Sequence, residues 1–235
     1  MLAPANTVRS NQISSHEDLF KTLDRHLNHP YLKPISEHTD TAFRRLENQF
    51  KTPFILDTGC GTGESTRYLA DNKSDLVLGL DKSMIRLGKH ERAAQENYLL
   101  ERVDLIDFWR ILHQKKCFPK AQYLLYPNPW PKKNHLKRRW HGHPVFPYLL
   151  DLGGYIELRT NWDVYAKEFA QAIEYCTGQK ARLEEYQPEI PITLFERKYH
   201  LSGQALWKLH ITLSSGCVSS NYPGFALPAF PESSH

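Results

Sequence analysis

The sequence predicts an α/β protein with a doubly wound, mostly parallel sheet preceded by two helices, and three observations point there. Short apolar runs at Phe54-Ile55-Leu56, Leu76-Val77-Leu78 and Tyr123-Leu124-Leu125 have the length and composition of buried strands. The first continues through Asp57 into the glycine-rich turn Thr58-Gly59-Cys60-Gly61-Thr62-Gly63 and then a helical segment, a strand–turn–helix unit of the nucleotide-cradle kind. Acids close three successive strands, at Asp57, Asp81 and Asp104. One such acid would be an ordinary turn residue, whereas three at the edge where open α/β sheets bind ligands indicate a site.

At 235 residues the chain can form one large domain and bury most of its apolar surface without disulfides. Cys60, Cys117, Cys176 and Cys217 show neither C-x-x-C pairing nor metal-ligand spacing, which implies reduced thiols, no metal and a cytoplasmic setting. No apolar run approaches the ~20 residues that span a bilayer, and residues 1–10 lack the apolar core of a signal peptide, so no membrane partner is expected. The oligomeric state stays open, with a monomer favoured. The formal charge of +4 is modest, but the cations bunch between Lys132 and Arg139, so local field matters more than net charge.

Taken in order, residues 1–16 are polar and without period, which predicts a flexible arm carrying Arg9, of the kind that orders on a partner. Leu19, Phe20, Leu23 and Leu27, then Phe43, Leu46 and Phe50, fall at helical spacing on either side of a Pro30 to Pro34 break. Residues 1–52 are therefore expected to form the arm and two helices packed on the core. His26, His29 and His38 lie there without a ligand-like pattern. After the glycine turn come a helix from about Ser65 to Ala70, a strand over 75–81, a helix capped by Ser83, and a third strand over 97–102 ending near Val103-Asp104-Leu105. A fourth strand spans 121–125. Gly153-Gly154 turns into a strand over 155–160, and Asn161-Trp162-Asp163 opens a helix with Tyr165, Phe169 and Ile173 on one face. Residues 193–198 read as a polar connection before a last strand over 205–213, and the Ser-, Pro- and Gly-rich stretch 214–235 reads as a flexible tail.

The glycine turn is G-x-G-x-G rather than G-x-G-x-x-G, with Glu64 directly after Gly63. A pyrophosphate needs bare backbone N–H groups at a helix start, whereas Asp57 and Glu64 bring negative charge there, so a cationic ligand is the better match. Asp81 lies about 20 residues beyond the glycines, where a ribose-binding carboxylate is expected, and Asp104 is suited to accept an adenine N6 hydrogen. Beyond the fourth strand, Pro127, Pro129 and Pro131 cannot continue a central strand or helix. They hold Asn128 and Trp130 in a stiff loop at the ligand-binding edge, followed by Lys132, Lys133, His135, Lys137, Arg138 and Arg139, a cluster suited to a polyanion.

With these pieces assembled, the chain from about residue 53 to 213 resembles the class I S-adenosylmethionine-dependent methyltransferases, and within them the tRNA (guanine-N7)-methyltransferase family. The stretch from Pro127 through Lys133, His135 and Lys137-Arg138-Arg139 is similar to that family's P-D-P-W-P-K-K-x-H-x-K-R-R pattern. Thr160-Asn161-Trp162 resembles its T-D-W element, and Thr193, Phe195 and Glu196 its T-x-F-E element. The resemblance implies a Rossmann-like sheet of seven strands over 53–213. It implies S-adenosylmethionine bound by Asp57, Gly59, Gly61, Gly63, Asp81, Asp104 and Leu105. It also implies an RNA acceptor, tRNA guanine N7, recruited by Trp130, Lys132, Lys133, His135, Lys137, Arg138, Arg139 and Asn161, with Thr193 and Glu196 at the base.

Two family aspartates are Asn128 and Asn161 here. Methylation of guanine N7 needs no base but leaves a cation on the purine, which a carboxylate stabilises better than an amide dipole. Asn128 is the residue expected to carry chemistry. Its Asn-Pro-Trp turn also resembles the N-P-P-[Y/F/W] loop of enzymes that methylate exocyclic amines. Amine methylation, a non-catalytic RNA-binding role and a small-molecule methyltransferase therefore stand as alternatives.

Overall fold

Seven strands form one sheet: β1 (Phe54–Thr58), β2 (Leu76–Asp81), β3 (Tyr98–Arg102), β4 (Ala121–Leu125), β5 (Gly154–Thr160), β6 (Arg182–Tyr186) and β7 (Leu206–Leu213). Their order is β3-β2-β1-β4-β5-β7-β6 in this computed structural model, which describes residues 7–89 and 97–226. Residues 1–6 of the expected arm and 227–235 of the expected tail lie outside the described residues. The pairs among β1 to β5 are parallel, and β7 runs antiparallel to both β5 and β6. The sheet order reverses between β1 and β4, which opens a crevice beyond their C-terminal ends.

The strands alternate their side chains between two cores. Phe54 and Leu56 join the larger one, with residues of the helices α1 (Leu19–Asn28), α2 (Glu37–Leu46), α5 (Leu105–Gln114), α6 (Phe146–Asp151) and α7 (Asp163–Thr177). Ile55, Val77, Tyr123 and Leu125 face a smaller one with Leu69 and Ala70 of α3 (Glu64–Asp71) and Tyr199 of α8 (Leu194–Leu201). A short α4 (Met84–Leu87) follows β2 and is capped by Ser83 as expected. Gly79 lets α3 sit close: a Cβ there would lie 2.3 Å from Thr66 Oγ1, the hydroxyl that bonds Asp57.

Several expectations are corrected. Arg182–Tyr186, a charged and half-exposed stretch with no element expected from the sequence, is a strand because β7 supplies its partner. Residues 194–201 form α8, capped by Thr193 Oγ1 accepting the Glu196 N–H at 2.9 Å, instead of a polar connection. Described residues of the expected flexible tail are packed: Val218 and Phe225 are fully buried, and Asp151 Oδ1 accepts the N–H groups of Val218 and Ser219 at 2.8 Å each. The described part of the arm is likewise held, with Gln12 buried.

Candidate active site

Loops at the C-terminal ends of β1 to β4, with α8 opposite, enclose a cavity of about 840 Å³. Of the residues expected to hold a cofactor, Gly59, Gly61, Asp81, Asp104 and Leu105 line it, joined by Thr62 and Glu64. Gly59 and Gly61 have φ of 85° and 62°, and a Cβ built on either meets nothing within 4 Å, so it would project into open space. Gly63, with φ of 79°, starts α3 and is not part of the lining. Asp57 is not part of it either. Its Oδ2 accepts from Ser65 Oγ at 2.6 Å and Thr66 Oγ1 at 2.7 Å, fixing the first turn of α3 behind the glycines. Burial raises its carboxyl to about 6, against the two hydroxyl hydrogen bonds.

Asp81 is buried and already engaged. Oδ2 accepts the Gly61 N–H at 2.9 Å, while Oδ1 accepts the Ser83 N–H at 2.7 Å and Arg86 Nη2 at 2.9 Å. A carboxylate has about four acceptor positions. One therefore remains for a ribose hydroxyl, and Arg86, half-exposed, must swing aside to release a second. Asp104 caps α5 through the Ile106 N–H at 3.1 Å and pairs with Lys82 at 3.2 Å. Burial would raise its carboxyl, but the Ile106 N–H with Lys82 and Lys33 holds it below the usual carboxylate range. Asp104 thus faces the cavity as an anion.

The opposite wall is the proline-rich loop. Tyr126 and Trp130 have φ of 54° and 45°, a left-handed conformation rare for bulky residues, and they bracket Asn128. Asn128, Trp130, Lys137 and Arg138 line the cavity, Asn128 with its side chain exposed. Arg138 lies over the Trp130 ring at 4.9 Å and His135 meets the ring edge-on at 5.5 Å. Lys132 and Lys133 are exposed outside the cavity, Lys133 pairing with Glu17 at 3.0 Å. Thr193, which caps α8, and Phe195 and Lys198 within it complete the wall. Nothing in the spacing of Lys198, or of the cavity-lining His143 and Tyr165, marked them beforehand.

Six expected acceptor-side residues do not line the cavity: Lys132, Lys133 and His135, and also Arg139, Glu196 and Asn161. Arg139 is fully buried and donates to Glu168 Oε2 at 2.6 Å, so it is an internal strut and not a phosphate contact. Glu196 is also fully buried. It accepts from Tyr126 OH at 3.1 Å, Arg159 Nη1 at 2.9 Å, the Ile192 N–H at 2.6 Å and Tyr186 OH, tying α8 to the start of the loop instead of touching a base. Asn161 donates to Gln204 Oε1 at 2.9 Å.

A parallel sheet of this order with an antiparallel β7, a glycine turn after β1 and acids after β2 and β3 defines a class I S-adenosylmethionine-dependent methyltransferase. Two solved structures share the fold over most of their length. An antibiotic-related methyltransferase has a TM-score of 0.52 at 13% identity, covering 77% of this chain and 97% of its own. The aminoglycoside resistance methyltransferase NpmB1 has 0.50 at 18% identity, covering 73% and 93%. A family model described as "Putative methyltransferase" matches residues 51–209, and the chain belongs to this family, that of the tRNA (guanine-N7) methyltransferases. Among curated relatives, the tRNA (guanine-N(7)-)-methyltransferase of Cupriavidus pinatubonensis is 29% identical over 171 residues, which are 67% of this chain and 66% of that protein. The one of Escherichia coli K12 is 30% identical over 173 residues, 68% and 72%. The match thus spans about two thirds of the Cupriavidus relative's length.

The residues present fit the cofactor of this class. Glu64 Oε2, on the cavity wall, and Asp57 Oδ1 behind it are buried without a hydrogen-bond partner, the donor-poor setting an ammonium group would satisfy. Asp81 and Asp104 would take the ribose and adenine. When bound, the cofactor supplies an electrophilic sulfonium methyl.

Proposed function

We propose that this protein methylates RNA, and that the acceptor is guanine N7 of a tRNA. The observation that carries the reading is the meeting, in one cavity, of the glycine turn with Asp81 and Asp104 on one wall and Asn128, Trp130, Lys137 and Arg138 on the other. A base entering from the loop side has the Trp130 and Phe195 rings to stack against, and exposed cations lie along the path of its phosphates. The activity for which the relatives are named points the same way. Asn128 faces the acceptor with an amide, so it orients the base through hydrogen bonds, and the purine cation formed on transfer is stabilised by carboxylates farther off. Glu64, Asp81 and Asp104 are the carboxylates the lining offers.

The second reading, transfer to an exocyclic amine, is favoured by Asn128 itself, whose carbonyl can accept an amine hydrogen. Incubation with total RNA and labelled S-adenosylmethionine, followed by digestion to nucleosides, separates the two. 7-Methylguanosine is the expected product. N2-methylguanosine or N6-methyladenosine would move the assignment to the amine class, and no labelled nucleoside would sink both. Asn128→Asp should maintain or raise N7 transfer, because it restores a carboxylate at the acceptor.

A further inference from the structure

The Glu168 carboxylate, fully buried in α7, gathers donors from segments far apart in sequence. Oε1 accepts Gln12 Nε2 and the His16 N–H, each at 2.7 Å, both from the N-terminal arm. Oε2 accepts Arg139 Nη1 at 2.6 Å and is bonded to His141 Nε2 at 2.9 Å, both from the segment after β4. Arg139 passes the constraint on: its Nε and Nη2 donate to the Trp130 carbonyl at 3.2 and 3.1 Å, and Nη2 also reaches the Lys132 carbonyl at 3.2 Å and Gln12 Oε1 at 2.9 Å. Its guanidinium stacks over the Trp162 ring at 4.8 Å. The arm adds a bond from Ser10 Oγ to the Pro131 carbonyl at 2.5 Å.

The carbonyl so captured belongs to Trp130, one of the two left-handed residues that bracket Asn128. Such a conformation persists only where surrounding contacts over-determine it. Neither Gln12, Arg139 nor Glu168 lines the cavity, so their influence on the reaction passes through the loop.

We propose that Glu168, Arg139 and Gln12 form a positioning assembly that holds Trp130, and with it the Asn128 amide, in register with the cavity, which makes the N-terminal arm a working part of the acceptor site. This rests on the reading of the Asn128 to Trp130 loop as the acceptor loop. A displacement of about 1 Å at a reacting centre costs up to about a hundredfold in rate, so a small relaxation of the loop would register in turnover.

The test compares full-length wild type with Gln12→Ala, Glu168→Gln and Glu168→Asp by hydrogen exchange, calorimetry with S-adenosylhomocysteine, and steady-state methyl transfer to RNA. In Gln12→Ala, amides of residues 126–133 should exchange about tenfold faster while β1 and β2 keep wild-type protection. Affinity for S-adenosylhomocysteine should stay within about twofold, and kcat should fall by about tenfold to a hundredfold with KM for RNA little changed. Glu168→Gln should act in the same direction, with partial rescue by Glu168→Asp. Should Glu168→Gln fail to fold, Gln12→Ala, which removes Gln12's side-chain bonds to Glu168 and Arg139 and leaves the buried ion pair intact, decides. Unchanged loop exchange in Gln12→Ala, or faster exchange spread evenly over the sheet, overturns the proposal. If wild type transfers no methyl group to RNA, the functional reading fails, and the exchange data still decide whether the assembly holds the loop.

Discussion

Asp57 keeps one carboxylate oxygen bare inside the protein, and the cost appears in its titration. Its folded pKa of about 6 lies above the ordinary 3.8, with burial as the main cause. The shift therefore favours the fold at low pH, an advantage fully present below 3.8 and lost as the pH rises through 6. Ionised at neutral pH, the group costs up to about 3 kcal/mol. Asp57→Asn should then be at least as stable as wild type at pH 7.5 in urea denaturation, lose that advantage at pH 4, and bind S-adenosylhomocysteine more weakly. An equal loss of stability at both pH values would show that the carboxylate is needed by the fold and not by the ligand.

The elements were legible in the sequence where local pattern determined them and illegible where distant partners did. Strands β1, β2 and β4 are apolar runs, and α1 and α2 carry clear amphipathic spacing, so each falls where the sequence indicated. The turn after β1 needs its left-handed glycines whatever surrounds it. By contrast, Arg182-Leu183-Glu184-Glu185-Tyr186 has too little apolar content to read as a strand, and α8 is anchored by Glu196 through partners on other elements. Glu168 was equally hidden, an acid in an amphipathic helix whose burial depends on Arg139, His141 and the arm. Its titration reports that arrangement. Burial opposes ionisation, yet the His141 hydrogen bond, the Arg139 charge and the His16 N–H bring its pKa down to about 2; His141, fully buried, is itself pushed down, which leaves Arg139 as the cation at neutral pH. With a folded pKa below the ordinary 4.5, Glu168 contributes stability that is present above 4.5 and lost as the pH falls through about 2. That contribution is of order 3 kcal/mol. Denaturation midpoints between pH 3 and 5 should fall less steeply with acid in Glu168→Gln than in wild type, and parallel slopes would mean that Glu168 carries no such share.

Over the whole molecule the basic segment divides into two functions that its sequence does not separate. Lys132, Lys133, Lys137 and Arg138 are exposed, whereas Arg139, adjacent and chemically identical to Arg138, is fully buried and paired. An exposed ion pair such as Lys133 with Glu17 holds its cation weakly, so that lysine is available to a phosphate. The two neighbouring arginines should therefore respond oppositely to mutation. If the partner is RNA, each exposed cation that meets a phosphate contributes about 0.7 to 0.9 to the slope of log K against log salt concentration. Lys137→Ala and Arg138→Ala should each weaken RNA binding and lower that slope by roughly one phosphate's worth, without changing the unfolding free energy by more than about 0.5 kcal/mol. Arg139→Ala breaks a buried pair and should cost about 3 to 5 kcal/mol of stability. Because Arg139 meets no phosphate, whatever RNA binding the folded fraction retains should keep the wild-type salt slope. Filter binding at a series of salt concentrations checks this. A slope lowered equally by Arg138→Ala and Arg139→Ala would mean that Arg139 leaves Glu168 for the nucleic acid.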